Sequence, residues 1–196
     1  MKTLLALFVL LFSSSVVADD ILDIQIEGIS IGESLLDHLS EKEIKEELRV
    51  NKFFYDYLEQ GQFGEVYLYK DFKLYDHVSF MVKYNDKKYT IHSIRGSISY
   101  DDNINECYSM QNEIVNEYSE IYKEAEKSEV TEKYPISFDP TEKSNIRISV
   151  FKFKSGDDIQ VDCKYFEKNL KAKNNWVDSL SVSISTFEVV NWMSNY

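Results

Sequence analysis

Apolar residues recur at every second position in several short stretches of this chain and at every third or fourth in two longer ones. That change of period lays out strands and helices in turn. Ile24 and Ile26 open with strand-like alternation, which breaks at Gly28 and Gly32. Two helix-start signatures follow, Ser34-x-x-Asp37 and Ser40-x-x-Glu43. The spacing predicts Gly32 at a turn, with Leu35, Leu36 and Leu39 facing the core. Over 40–58, Ile44, Leu48, Phe54, Tyr55 and Leu58 keep helical spacing, with a break near Val50-Asn51 and an end at Gly61-Gln62-Phe63-Gly64.

Strands are expected next, over 65–69 and 77–84. In the second, Val78, Phe80, Val82 and Tyr84 share one face. Asn85-Asp86-Lys87-Lys88 reads as a hairpin turn, and 89–100 as the returning strand. Its apolar phase slips between Ile91 and Ile94, which predicts a bulge around His92-Ser93, with Gly96 easing the bend of the sheet. A long helix over 103–127 carries the stripe Cys107, Met110, Gln111, Ile114, Val115, Tyr118, Ile121, Tyr122 and Ala125. The polar stretch 128–145, which holds Pro135 and Pro140, reads as a long loop. Strands over 146–154 and 159–167 follow, joined by Ser155-Gly156-Asp157-Asp158, and then a last strand over 177–185. Ser185-Thr186-Phe187-Glu188 reads as a capping box for a terminal helix through Val189, Trp192 and Met193. Strands joined by short turns must pair antiparallel. The expected fold is therefore a single α+β domain with an antiparallel sheet of about five to six strands. A long amphipathic helix packs on one face, and short helices stand near the N- and C-termini.

The first eighteen residues change the picture of where this domain works. Lys2, an apolar run from Leu4 to Phe12 and small residues up to Ala18 form a signal-peptide pattern, followed by Asp19-Asp20. The run is too short to span a bilayer. The expected division is 1–18 signal peptide and 19–196 mature domain, periplasmic or secreted, with no later apolar run of transmembrane length. Removal of Lys2 leaves 21 basic against 34 acidic residues, a net charge of −13. Such a balance argues against binding nucleic acid, whose phosphates require a positive footprint. The two cysteines, Cys107 and Cys163, are most simply a disulfide in an oxidising compartment. Cys163 falls on the apolar phase of its strand and Cys107 on the first turn of the long helix, so the bridge would pin helix to sheet.

Chemistry is sparse. His38, His77 and His92 have neither His-x-His nor i, i+4 spacing, and no Gly-x-Ser-x-Gly elbow presents a nucleophile. A hydrolase built on one of these histidines is the alternative to a non-catalytic binding role. Asp101, Asn103 and Asn105 alternate like the opening of a calcium loop. Glu106 occupies the place that needs glycine, and Glu113 falls one position beyond the distal acid; a cap for the long helix explains the same residues. Gly28-x-x-x-Gly32 lacks the lysine and spacing of a phosphate loop. Arg95 lies inside an apolar strand and suits an anion or a carboxylate. Fourteen tyrosines, Tyr84, Tyr89 and Tyr100 among them, favour a binding surface. No cofactor is indicated, and the expected partner is an envelope protein or a small ligand.

Several of these segments together, Ile29-Ser30-Ile31-Gly32-x-Ser34-Leu35-Leu36, Tyr75-Asp76-x-Val78-Ser79-Phe80, Ile94-Arg95-Gly96, Cys107-x-x-x-Gln111-Asn112-Glu113-Ile114, Phe153-Lys154-Ser155-Gly156-Asp157 and Asn191-Trp192, form a recognisable set. With them the chain resembles a group of uncharacterised exported proteins of marine bacteria. The resemblance implies one domain and a Cys107 to Cys163 pairing, and it brings no activity. The opening motif alone is similar to that of BamE-like envelope modules, from which this longer chain departs by having no cysteine at the mature start.

Overall fold

The computed structural model describes residues 21–53, 56–101 and 103–195, with the side chains of residues 56 and 60 left aside. The expected signal peptide lies outside them. Four α-helices and two antiparallel sheets stand among the described residues. The small sheet is the hairpin of β1 (Gln25–Ile26) and β2 (Ile29–Ser30). Glu27 and Gly28 turn it at positive φ, 54° and 80°, as a two-residue hairpin demands. The Glu27 carboxylate then accepts from the amides of Lys73, Leu74 and Tyr75, which ties the N-terminus to a distant loop.

Gly32 takes φ 86°, and Ser34 caps a 3₁₀ turn, Leu35–Asp37. Leu35 is fully buried and Leu39 packs partly against the core, but Leu36 is 41% exposed, against expectation. A single 3₁₀ turn advances about 120° per residue, so Leu35 and Leu36 cannot both point inward. Helix α1 (Glu41–Asn51) starts at Ser40 with both hydrogen bonds of a capping box. Ile44 and Leu48 are buried against strand β3 (Phe63–Leu68), and a 3₁₀ turn, Asp56–Gln60, comes between. Two side chains of α1 also cover the free edge of β3. Glu47 accepts from the Tyr67 amide at 3.1 Å, and Asn51 donates to the Glu65 carbonyl at 3.1 Å.

The large sheet adds β4 (His77–Lys83), β5 (Ser93–Asp101), β6 (Glu126–Lys133), β7 (Asn145–Lys152), β8 (Asp158–Tyr165) and β9 (Asp178–Ser185). Its seven strands run in the order β3-β4-β5-β9-β8-β7-β6, each antiparallel to its neighbours. Two meanders thus meet at β9, the last strand of the chain. The additional strand is β6, which replaces the start of the expected 128–145 loop. All eight of its residues are exposed, so it carries no apolar phase to read, and its pairing with β7 alone holds it. The long helix α2 (Ile104–Ile121) consequently ends six residues earlier than expected, at Ile121 with Tyr122 as its cap. The expected bulge at His92-Ser93 lies instead between Ser99 and Asp101, since β5 begins only at Ser93.

Helix α2 lies across β5, β9 and β8, and the Cys107–Cys163 disulfide joins it to β8. Val115 and Tyr118 bury against a layer that includes Phe80, Ile94, Phe151, Ile159, Val161 and Leu180. Gly96 belongs to this face because the Tyr75 ring lies where a Cβ would be, 2.6 Å away. A short helix α3 (Lys168–Asn174) links β8 to β9, and α4 (Phe187–Ser194) follows β9. The Ser185 to Glu188 capping box does not form. Thr186 is the N-cap without a side-chain bond, and Asp157 accepts from the Phe187 amide at 2.6 Å instead.

A polar cavity on the serine face of the sheet

Side chains alternate across a sheet, so the apolar phase under α2 fixes the composition of the other face. On three adjacent strands that face is serine: Ser79 from β4, Ser93, Ser97 and Ser99 from β5, and Ser179, Ser181, Ser183 and Ser185 from β9. The register sets Ser93 opposite Ser185 and Ser97 opposite Ser181, with hydroxyl-to-hydroxyl distances of 2.9 and 3.2 Å. Arg95 stands between Ser79 and Ser183, and these short neighbours leave room around its guanidinium. Strand β8 adds Gln160, Asp162 and Lys164 to the same face, and β3 adds Glu65 and Tyr67. One end is shut by α4 and the Asp56–Gln60 turn, where Leu58, Phe63, Met81, Val189 and Trp192 form a second small apolar cluster.

Beside that cluster lies a cavity of about 150 Å³, lined by Glu65, Tyr67, His77, Ser79, Arg95, Ser97, Ser99, Lys164, Val177, Ser179 and Ser181. Its charges do not close on one another. Among the described residues no nitrogen of Arg95 or Lys164 comes within 4.0 Å of a carboxylate oxygen, and neither side chain makes a hydrogen bond. Glu65 is 5% exposed and its Oε2 has no partner. Asp162, fully buried behind the lining, has Oδ1 unpartnered, while its Oδ2 accepts from Gln160. The four charges nevertheless feel one another. Burial works against the Arg95 charge, yet Asp162 and Glu65 hold its pKa above the ordinary value. Burial pushes the Lys164 ammonium down, with Arg95 adding to the effect and Asp162 opposing it. Burial likewise lowers His77, against the pull of Asp76, and its ring packs on Tyr67 and Tyr69 at 5.8 and 5.4 Å.

The remaining expected site residues are scattered. Tyr84 and Tyr89 line a different groove, of about 450 Å³, near Glu41 and Lys45 of α1. Tyr100 packs partly against the core under α2. Arg95 alone of that set borders the cavity, and Tyr67 is the tyrosine beside it. Nothing in the spacing of the tyrosines shows which phase of a strand each occupies until the register is known. His38 pairs with Glu33 at 3.1 Å, and His92 lies 3.6 Å from Glu188, which also binds Lys83 at 2.7 Å. Among the described residues no serine or threonine hydroxyl hydrogen-bonds a histidine. Asp101 ends β5 at φ 44°, Asn103 caps α2 through the Glu106 amide, and Asn105 sits exposed in the first turn. The three thus form a strand-to-helix connection, and no group of three His, Cys, Asp or Glu side chains suited to a metal stands among the described residues.

Glu65, Asp162, Lys164 and the serines were not singled out from the sequence. The available signal was serine at every second position from 179 to 185, matched by 93, 97 and 99, since a strand of that pattern has one face without bulk. Comparison with known protein families, characterised proteins and solved structures finds no match to this chain. No helix among the described residues is long and apolar enough to cross a membrane.

Proposed function

We propose that this chain is an exported, non-catalytic binding module that holds a small polar ligand on the serine face, around Arg95. The observation that carries the reading is the pair of cations, Arg95 and Lys164, beside the buried and unpartnered Glu65 Oε2 in one cavity. A buried charged or polar atom without a partner is costly, and ligand sites are where such groups stand ready for one. The signal-peptide pattern supports export to the periplasm or beyond, and a disulfide suits that oxidising setting. Among the described residues no histidine is hydrogen-bonded to a hydroxyl, the contact from which a histidine-based hydrolase would start.

Native mass spectrometry of the mature protein, purified without denaturant from its own envelope, tests this. A small-molecule adduct that is absent from Arg95→Met supports the proposal. An adduct-free spectrum, together with a melting temperature indifferent to a panel of small carboxylates, amines and zwitterions, contradicts it.

A further inference from the structure

We propose that the ligand of this cavity is a small dipolar molecule, carrying a carboxylate and an ammonium group at once, with α-amino acids as the simplest class. The inference rests on the binding role above and specifies what is bound. Its premise is that the site is electrically even. Arg95 and Lys164 in the lining bring two positive charges, Glu65 in the lining brings one negative charge, and Asp162, buried directly behind it, brings the second. A ligand with net charge would upset that balance inside a confined space where bulk water screens little.

The second premise is that donors and acceptors are both left over. If Arg95 and Lys164 were matched to the two carboxylates, contacts within 4.0 Å would be expected, and there are none. An anion alone would satisfy Arg95 and Lys164, but it would leave Glu65 Oε2 buried, unpartnered and repelled. A cation alone would do the reverse. A molecule with both groups satisfies both sides, its carboxylate toward Arg95 and Lys164 and its ammonium toward Glu65. The serine hydroxyls of the floor, Ser97 and Ser181 among them, can donate or accept and so adapt to either end. The cavity of about 150 Å³ suits a compact ligand, since a single water needs only roughly 10–15 Å³ of such space. The packed rings of Tyr67 and His77 belong to the lining and offer an apolar surface for the side chain of an amino acid.

Calorimetric titration of the mature, disulfide-bonded protein tests the inference with matched probes. L-alanine, L-serine and L-glutamine carry both charges, propionate the anion only, and isopropylammonium the cation only. At least one amino acid is expected to bind about tenfold or more tightly than either singly charged probe. Glu65→Gln is expected to weaken the amino acid about tenfold while leaving propionate unchanged or stronger, and Lys164→Met to weaken both. Unchanged circular dichroism of each variant keeps misfolding out of the comparison. Propionate binding as tightly as the amino acids overturns the dipolar inference and leaves the binding role intact. No heat with any amino acid up to about 10 mM also overturns it, while the binding role is then decided by the adduct measurement.

Discussion

The two faces of the large sheet are built from the same strands and obey opposite rules. Under α2, side chains such as Phe80, Ile94, Val161 and Leu180 are buried, and even the polar Gln111 spends both hydrogens of its amide on the Arg147 and Val161 carbonyls at 2.9 Å. On the other face, serines stand where bulk would otherwise be, and Arg95, Lys164 and Glu65 line one cavity, with Asp162 buried behind them, without forming an ion pair. Among the described residues the helix face is filled by apolar side chains and leaves two neutral polar atoms unmet, Gln111 Oε1 and Ser149 Oγ, whereas the serine face leaves two carboxylate oxygens unmet, Glu65 Oε2 and Asp162 Oδ1. The difference teaches that burial alone does not identify stabilising residues: Leu180 and Asp162 are equally inaccessible, yet only the first is expected to hold the fold together.

The helix face should be the more fragile under mutation. Removing the disulfide with Cys107→Ala/Cys163→Ala releases a loop of 56 residues, which the chain-entropy model values at about 4 kcal/mol. Denaturant unfolding should show a loss of that order with ligand response retained; loss of response in a folded double variant would mean that the two faces are coupled. Phe151→Ala, which empties a site 1% exposed beneath α2, is expected to cost about 3–5 kcal/mol. A cost under about 1 kcal/mol would show that this face is looser than its packing implies.

The margin of the serine face carries a pH signature of reversed sign. Burial, with Asp157 beside it, raises Asp158 from 3.8 to about 6. Between those values the folded chain keeps a proton that the unfolded chain releases. Stability therefore rises as pH falls from about 6 toward 3.8, by up to about 3 kcal/mol, and is lost as pH rises through 6. Asp86, held near 2 mainly by hydrogen bonding to Thr90 and Lys88, acts the other way and loses its contribution below 3.8. Melting temperature is thus expected to peak at mildly acidic pH, and Asp158→Asn to flatten the rise. The smallest effect is at the sheet's covered edge: Ser40→Ala removes the capping box of α1 and should cost about 1 kcal/mol, read as a lower melting temperature.

Much of the helix face was legible in the sequence because apolar periodicity is what fills it. The stripe from Cys107 to Tyr118 and the alternation of Val78, Phe80 and Val82 gave α2 and β4 directly. The strand β6 was not legible, since it is wet on both sides and defined by its hydrogen bonds to β7. For the open face, Arg95 drew notice as a charge among apolar neighbours. Its companions Glu65 and Lys164 come from strands β3 and β8, four steps apart in the sheet order with β4, β5 and β9 between them, and only the folded sheet brings them to one cavity. Leu36 shows the same limit at short range, where a 3₁₀ turn in place of an α-helix redirects one side chain.

The claim that the serine face is kept incomplete for a ligand is tested most directly by Arg95→Met/Glu65→Met, which removes one charge of each sign and keeps the balance of the rest. Exchanging unmet buried charges for apolar groups of similar size is often neutral or stabilising. The double variant is expected to melt at or above the temperature of the parent protein and to show no further rise with L-alanine, L-serine or L-glutamine. A melting temperature several degrees below the parent, or an undiminished response to those amino acids, would contradict the account.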